Sequence, residues 1–256
     1  MEYSASELMT VNAARLLRDY DTVFVGVGLP NLACNLARRT HAPNLVMIYE
    51  AGVIGARPSR LPLSIGDPTL VSGACSVCSM FDIFSLYLQR GNVDVGFLGG
   101  AQIDQFGNIN ATVIGDYHHP KIRLPGSGGS MEIAAWANRC YILTPHQKRR
   151  LPEKLDFRTS AGFLGGGSER TAARLRGSGP QAVVTDLGIL EPDETGELVL
   201  TALHPGATVA QAQANTGWDL KASATPRITE PPTAEELRIL RQELDPQGIY
   251  LKSNAG

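Results

Sequence analysis

The chain has 256 residues, 43% of them hydrophobic and 19% charged, enough for a full buried core, so a soluble globular protein is expected. Its 23 basic and 25 acidic residues leave a formal charge of −2, without the basic excess needed to wrap nucleic acid or lie on an anionic membrane. No apolar run reaches the roughly 18 residues of a membrane span, and the opening MEYSASELMT lacks the basic-then-apolar layout of a secretory signal, so a cytoplasmic protein acting on small molecules is expected.

Ser4-x-x-Glu7 forms a capping box, and Leu8, Val11, Ala14 and Leu17 recur at helical spacing, which predicts an amphipathic helix to about Tyr20. Thr22–Val27 is β-branched and aromatic and ends in Gly28-Leu29-Pro30, where the proline suits the first turn of a helix through Leu32, Leu36 and Ala37. A second apolar run, Leu45–Tyr49, completes a βαβ unit with parallel strands. Glu50 closes that run immediately before Ala51-Gly52-Val53-Ile54-Gly55. Open parallel sheets bind ligands outside the carboxyl ends of their strands, so an acid placed there is a functional candidate as much as a solvated loop residue.

Arg57–Asp67 holds Pro58, Pro62 and Gly66 and reads as an ordered loop, and Phe81–Leu88 as a helix stopped by Gly91. Cys75-x-x-Cys78 has no second pair at ligand spacing, so these two, with Cys34 and Cys140, are expected to be free thiols, the pair as buried small residues, with no metal. Val93–Leu98 is a third apolar strand ending in Gly99-Gly100-Ala101, and the turn Asp104–Asn108 leads into a strand over Ile109–Ile114. Leu124-Pro125-Gly126-Ser127-Gly128-Gly129-Ser130 then feeds a helix from Met131 to Trp136, a junction where free N–H groups suit a phosphate or an oxyanion, or merely a flexible connector. Further strands are predicted at Cys140–Thr144, Gln181–Thr185 and Leu198–Leu203, and helices at Thr208–Asn215 and Thr233–Leu244, the last set apart by Pro231-Pro232. No repeat or linker divides the chain, which predicts one domain over 1–256 with 231–256 as a C-terminal helix and tail. The fold class is α/β, an open, mostly parallel sheet with helices on both faces.

Other residues invite roles that sequence leaves open. His118 and His119 are adjacent on an extended segment and cannot both face one site, so a structural or rim role leads. Lys148-Arg149-Arg150 suits phosphates or a solvated turn equally. Asn108 and Asn110 suit turn formation or orientation of a ligand equally.

Glu50, Gly99-Gly100-Ala101 and Gly126–Gly129 together resemble the β subunits of class I CoA-transferases, of the glutaconate type. The likeness is carried by Gly26-Val27-Gly28-Leu29-Pro30, Glu50-Ala51-Gly52, GGAQIDQFGNINATVIGDYHHPK from Gly99 to Lys121, and PGSGG from Pro125, within roughly residues 5–250. The resemblance implies a heteromeric enzyme completed by a homologous α subunit, as α2β2 or larger. Its active site lies at the subunit junction. No cofactor is bound, and an acyl-CoA and a carboxylate are the substrates. The family's catalytic Glu-x-Gly falls on Glu50-Ala51-Gly52, with Ala51 where relatives usually carry Ser or Asn. Glu50 then attacks the thioester and comes to hold CoA itself. Gly128 and Gly129, with Gly100, Ala101 and Asn110, meet the oxyanion or the thioester. A CoA-thioester hydrolase or decarboxylase using Glu50 as base is the alternative enzyme, and a sugar-phosphate or effector-binding module the alternative of another class.

Overall fold

The computed structural model describes residues 2–251, which fall into two compact units, one of residues 2–97 with 231–251 and one of residues 98–230. The last part of the predicted C-terminal tail, 252–256, lies outside the described residues.

The first unit opens with α1 (Ala5–Arg15), whose capping box is formed: the Ser4 hydroxyl accepts from the Glu7 N–H at 3.2 Å and the Glu7 carboxylate accepts from the Ser4 N–H at 2.8 Å. The helix stops short of the predicted Tyr20 because the chain turns there. Asp21 accepts the Arg18 N–H at 2.8 Å, and Tyr20 takes a left-handed φ of 66°. β1 (Thr22–Phe24), α2 (Leu29–Arg39) and β2 (Val46–Tyr49) form the expected βαβ unit, with Phe24 opposite Ile48 in a parallel pair. Sequence reading missed the next two strands. β3 (Val53–Ile54) turns back antiparallel on β2, and β4 (Ser76–Val77) pairs antiparallel with β3. A short α3 (Met80–Asp82) runs into a π-helical turn, Ile83–Leu88, and β5 (Val95–Leu98) pairs parallel with β1.

The C-terminal helix, Ala234–Arg238 continued by π-helical Ile239–Leu244, is no separate element. Arg241 grips Glu7 at 2.6 Å and Arg15 grips Glu236 at 2.8 Å, while Ile239, Leu240 and Leu244 are buried, so it closes the first unit over α1 and α2.

In the second unit β6 (Gln102–Ile103) and β7 (Ile109–Asn110) form one hairpin, and β8 (Val113–Gly115) and β9 (Pro120–Arg123) another. The single strand expected over 109–114 is thus two, because the Asn110 side-chain oxygen accepts from the N–H groups of Thr112 and Val113 and bends the chain between them. After α4 (Ser130–Trp136), β10 (Arg139–Leu143), α5 (Glu169–Ala172) and β11 (Pro180–Val184) supply a second parallel pair, β10 with β11. β12 (Gly188–Pro192) and β13 (Leu198–Leu203) continue antiparallel, then α6 (Val209–Ala214) leads to β14 (Ala222–Ile228), parallel to β13. Among the described residues no helix is long and apolar enough to cross a membrane.

Candidate active site

Tyr49 ends β2 fully buried, and Glu50 is the next residue, half-buried at the strand's carboxyl end. The Gly52 N–H donates to the Tyr49 carbonyl at 3.0 Å, and Val53 pairs with Tyr49, so Glu50 rides a closed turn. Gly52 has φ +101°, and a Cβ on it would lie 1.9 Å from the Cys78 carbonyl oxygen. The glycine of the Glu-x-Gly motif is therefore required twice, by backbone conformation and by the approach of β4. Ala51 is exposed. Among the described residues the Glu50 carboxylate has no hydrogen-bond or ion-pair partner, in contrast to Glu7 and Glu236, which are both clamped by arginine.

Beneath the turn lies a polar network that sequence reading missed. The Asn31 amide donates to the Tyr49 hydroxyl at 2.8 Å, Asn35 donates to the Asn31 side chain at 2.8 Å, and Arg38 donates to Asn35 at 3.1 Å and to the Ala56 carbonyl at 2.8 Å. Burial pushes the Tyr49 phenol up to about 12, against the Asn31 hydrogen bond, so it stays protonated. The signal was in the sequence: Asn31, Asn35 and Arg38 stand three and four apart on α2, on the face turned to β2. Beside them the Val25 N–H donates to the Ile48 carbonyl at 3.0 Å, and the chain leaves β1 through Gly26 to Gly28, whose φ of +99° starts α2.

The second unit carries two glycine elements held by one segment. The Asn110 carbonyl accepts the Ala101 N–H at 2.8 Å, and the next carbonyl, Ala111, accepts the Gly126 N–H at 2.8 Å. Gly100 is packed so tightly that a Cβ would meet Ile109 Cγ2 at 2.3 Å. At two of the expected ligand contacts the polar groups have partners within the chain. The Ala101 N–H is engaged by Asn110, and the fully buried Asn110 side chain donates to the Gln102 side chain and the Val113 carbonyl while accepting from Thr112 and Val113. Asn108 is likewise saturated by Asp104, Leu164 and Gly162. Gly128 and Gly129 are different. The Ser130 N–H closes a turn on the Ser127 carbonyl, Gly128 takes φ +47° with nothing within 4 Å of a Cβ, and Gly129 caps α4. Among the described residues neither of their N–H groups has an acceptor.

His118 and His119 are exposed, both backbone N–H groups taken by Asp116 at 2.8 and 2.9 Å. Lys148 and Arg149 are exposed and Arg150 is half-buried. All four cysteines are free, but Cys75 is exposed and Cys78 half-buried rather than both buried, because β4 is an edge strand. Among the described residues no group of three His, Cys, Asp or Glu side chains could hold a metal.

The model of the coenzyme A transferase family matches residues 6–215. The chain belongs to the coenzyme A transferase family. It is 50% identical over 240 residues to a 3-oxoadipate CoA-transferase subunit of Pseudomonas knackmussii, covering 93% of this chain and 92% of that one. A glutaconate CoA-transferase subunit of Acidaminococcus fermentans is 38% identical over 256 residues, covering 98% of this chain and 96% of that one. The crystal structure of that glutaconate enzyme superposes with a TM-score of 0.91 over 98% of both chains, and the decarboxylase AibA/AibB with 0.83 at 27% identity over 97% of this chain and 98% of that one. The α/β fold class and the resemblance drawn from Glu50 and the glycine stretches stand on these matches, and the effector-module alternative falls with them.

Proposed function

We propose that this chain is the β subunit of a heteromeric acyl-CoA:carboxylate CoA-transferase, and that Glu50 carries CoA during turnover. The observation that supports this most is the Glu50 carboxylate itself: unpaired among the described residues, half-buried, and fixed at the carboxyl end of a parallel strand by a turn that tolerates no side chain at Gly52.

In this reading a Glu50 oxygen attacks the acyl-CoA carbonyl and CoA leaves as thiolate, giving an acyl-glutamyl anhydride. The thiolate then attacks the Glu50 carbonyl, releasing the acyl group as carboxylate and leaving a glutamyl-CoA thioester. An acceptor carboxylate repeats the steps in reverse, so the thioester bond is conserved. Each addition creates an oxyanion, and the unengaged N–H groups of Gly128 and Gly129 are the proposed donors, with Gly100 as a third; one such donor is typically worth roughly 3 kcal/mol. None of these steps calls for a bound cofactor. The acid is of the class named in the relatives, a dicarboxylate such as 3-oxoadipate or glutaconate, with a homologous α subunit completing the site in the cytoplasm.

The test is to incubate the assembled enzyme with acyl-CoA and no acceptor. CoA mass should appear on the Glu50 peptide, borohydride should inactivate the enzyme, and Glu50→Gln should abolish transfer by on the order of 10⁴-fold or more without loss of fold. The likeness to a decarboxylase motivates the competing reading, in which Glu50 acts only as base. Acceptor-independent release of carbon dioxide, with the CoA thioester retained in the product and Glu50 unmodified, would decide for it.

A further inference from the structure

Arg150 stands apart from the basic residues beside it. Lys148 and Arg149 point into solvent, where a charge needs no partner, but the Arg150 guanidinium is half-buried, and among the described residues no carboxylate lies within ion-pair distance of it. Its Nη1 donates to the Gly100 carbonyl at 3.2 Å, while Nε is closed off from solvent without an acceptor and Nη2 has none either. Burial, with Arg149's charge beside it, lowers the Arg150 guanidinium from its ordinary value, and the Gly100 carbonyl meets it at one nitrogen only. The backbone around it is fixed: the Arg150 N–H donates to Gln147 at 2.7 Å, and its carbonyl accepts from Ile103 at 2.8 Å. The guanidinium is thereby fastened to the Gly99-Gly100 turn that follows β5, again a carboxyl strand end.

A half-buried guanidinium with an unmet edge is the complement of a planar or tetrahedral oxyanion, which brings the charge and acceptors that this edge lacks. We infer that Arg150 is an anion-binding residue of the substrate site, receiving an oxyanion at its Nη2 side while Nη1 holds Gly100. The inference rests on the reading of this chain as a CoA-thioester enzyme, whose two substrates offer two sources of that oxyanion: the carboxylate of the acid and the phosphates of CoA.

The experiment is calorimetric titration of the enzyme, assembled with its partner subunit, with succinate, CoA and 3′-dephospho-CoA, comparing wild type with Arg150→Gln and Arg150→Lys. Glutamine keeps a donor for the Gly100 carbonyl and removes the charge; lysine keeps the charge and removes the fork. Arg150→Gln should weaken binding of one ligand class roughly ten- to a hundredfold, the size of a lost charge-assisted hydrogen bond, and Arg150→Lys should recover part of it. Weakened succinate with unchanged CoA assigns the carboxylate. Weakened CoA with unchanged succinate assigns the phosphates, and 3′-dephospho-CoA shows whether the 3′-phosphate is the group held. If Arg150→Gln binds all three within twofold of wild type, with an unchanged unfolding midpoint, Arg150 merely holds Gly100 and the inference is overturned. Should Arg150→Gln not assemble, wild-type affinity in Arg150→Met overturns it equally. Absence of CoA on Glu50 of the wild type would sink the transfer reading without touching these affinities.

Discussion

A Cβ placed on Gly52 would lie 1.9 Å from the Cys78 carbonyl oxygen, whereas a Cβ on Gly126 or Gly128 would meet nothing within 4 Å. Both places are glycine-rich, and both follow or precede regular elements, yet the glycines answer different needs. Around Glu50 the glycine lets a third strand close against the turn and hold the carboxylate still. At Gly128 a side chain would meet nothing, and the N–H groups of Gly128 and Gly129 have no acceptor among the described residues. At Gly52 a side chain is excluded by the backbone of Cys78; at Gly126 and Gly128 space excludes none, and the positive φ alone calls for glycine.

Breaking the crowded side should give the largest effect. Gly52→Ala combines a left-handed φ with a backbone clash and should destabilise the protein by about 3–5 kcal/mol, read as a fall in the denaturant midpoint. A wild-type midpoint would show that β4 gives way freely. On the open side, Gly129→Val should keep its midpoint while turnover falls about 10²–10³-fold, the loss expected for one oxyanion donor; normal turnover in a folded protein would remove the loop from the mechanism. A milder probe of the rigid side is Tyr49→Phe, which leaves the buried Asn31 amide without its best acceptor. It should cost about 1–3 kcal/mol, with turnover lowered to the extent that Glu50 moves.

The two units should also part company in acid. In the second unit, burial lowers the His146 and His204 imidazoles, against the pull of Asp186 and of backbone hydrogen bonds. Both rings bond to Thr185, His146 through its hydroxyl at 3.0 Å and His204 through its carbonyl at 2.8 Å. With folded values below the unfolded ~6.5, their stabilisation is complete above that pH and is lost as pH falls through it toward the folded values. In the first unit, burial alone would raise Glu7 and Glu236, but the arginines Arg241 and Arg15 together with the capping-box hydrogen bonds of Ser4 and Thr233 outweigh it and hold both below 4.5. Their contribution persists above that value and is lost only below it. Thermal unfolding scanned from pH 7 to 5 should therefore weaken through the second unit, and His146→Gln should flatten the slope.

What could be seen in sequence was whatever rests on local pattern. The βαβ unit, the capping boxes and the strand-end positions of Glu50 and Gly100 follow from periodicity and punctuation, and each lies where that reasoning put it. β3 and β4 escaped because they are two residues long and owe their existence to pairing across a loop, a cause no window of sequence contains. β12 escaped because Thr185, whose hydroxyl accepts from Leu187 and Gly188, folds the chain straight back onto β11, another pairing made outside any local pattern. The engagement of Asn110 within the chain was not legible, because an asparagine in a turn motif reads the same whether its amide faces inward or outward. Only the positions of Gln102 and Val113 show that it is occupied.

The way the C-terminal helix closes the first unit bears on how the protein is made. Residues 98–230 are contiguous and can leave the ribosome with every strand of their unit present, but α1 meets Arg241 and Glu236 only when residues 234–244 have emerged. The half that holds the proposed nucleophile is therefore the later to mature, although its first residues are the earliest synthesised. A chain not yet grown to Arg241 carries Glu50 without the arginine that clamps Glu7 in α1. Chain order thus makes the unit that is begun first the one that is finished last.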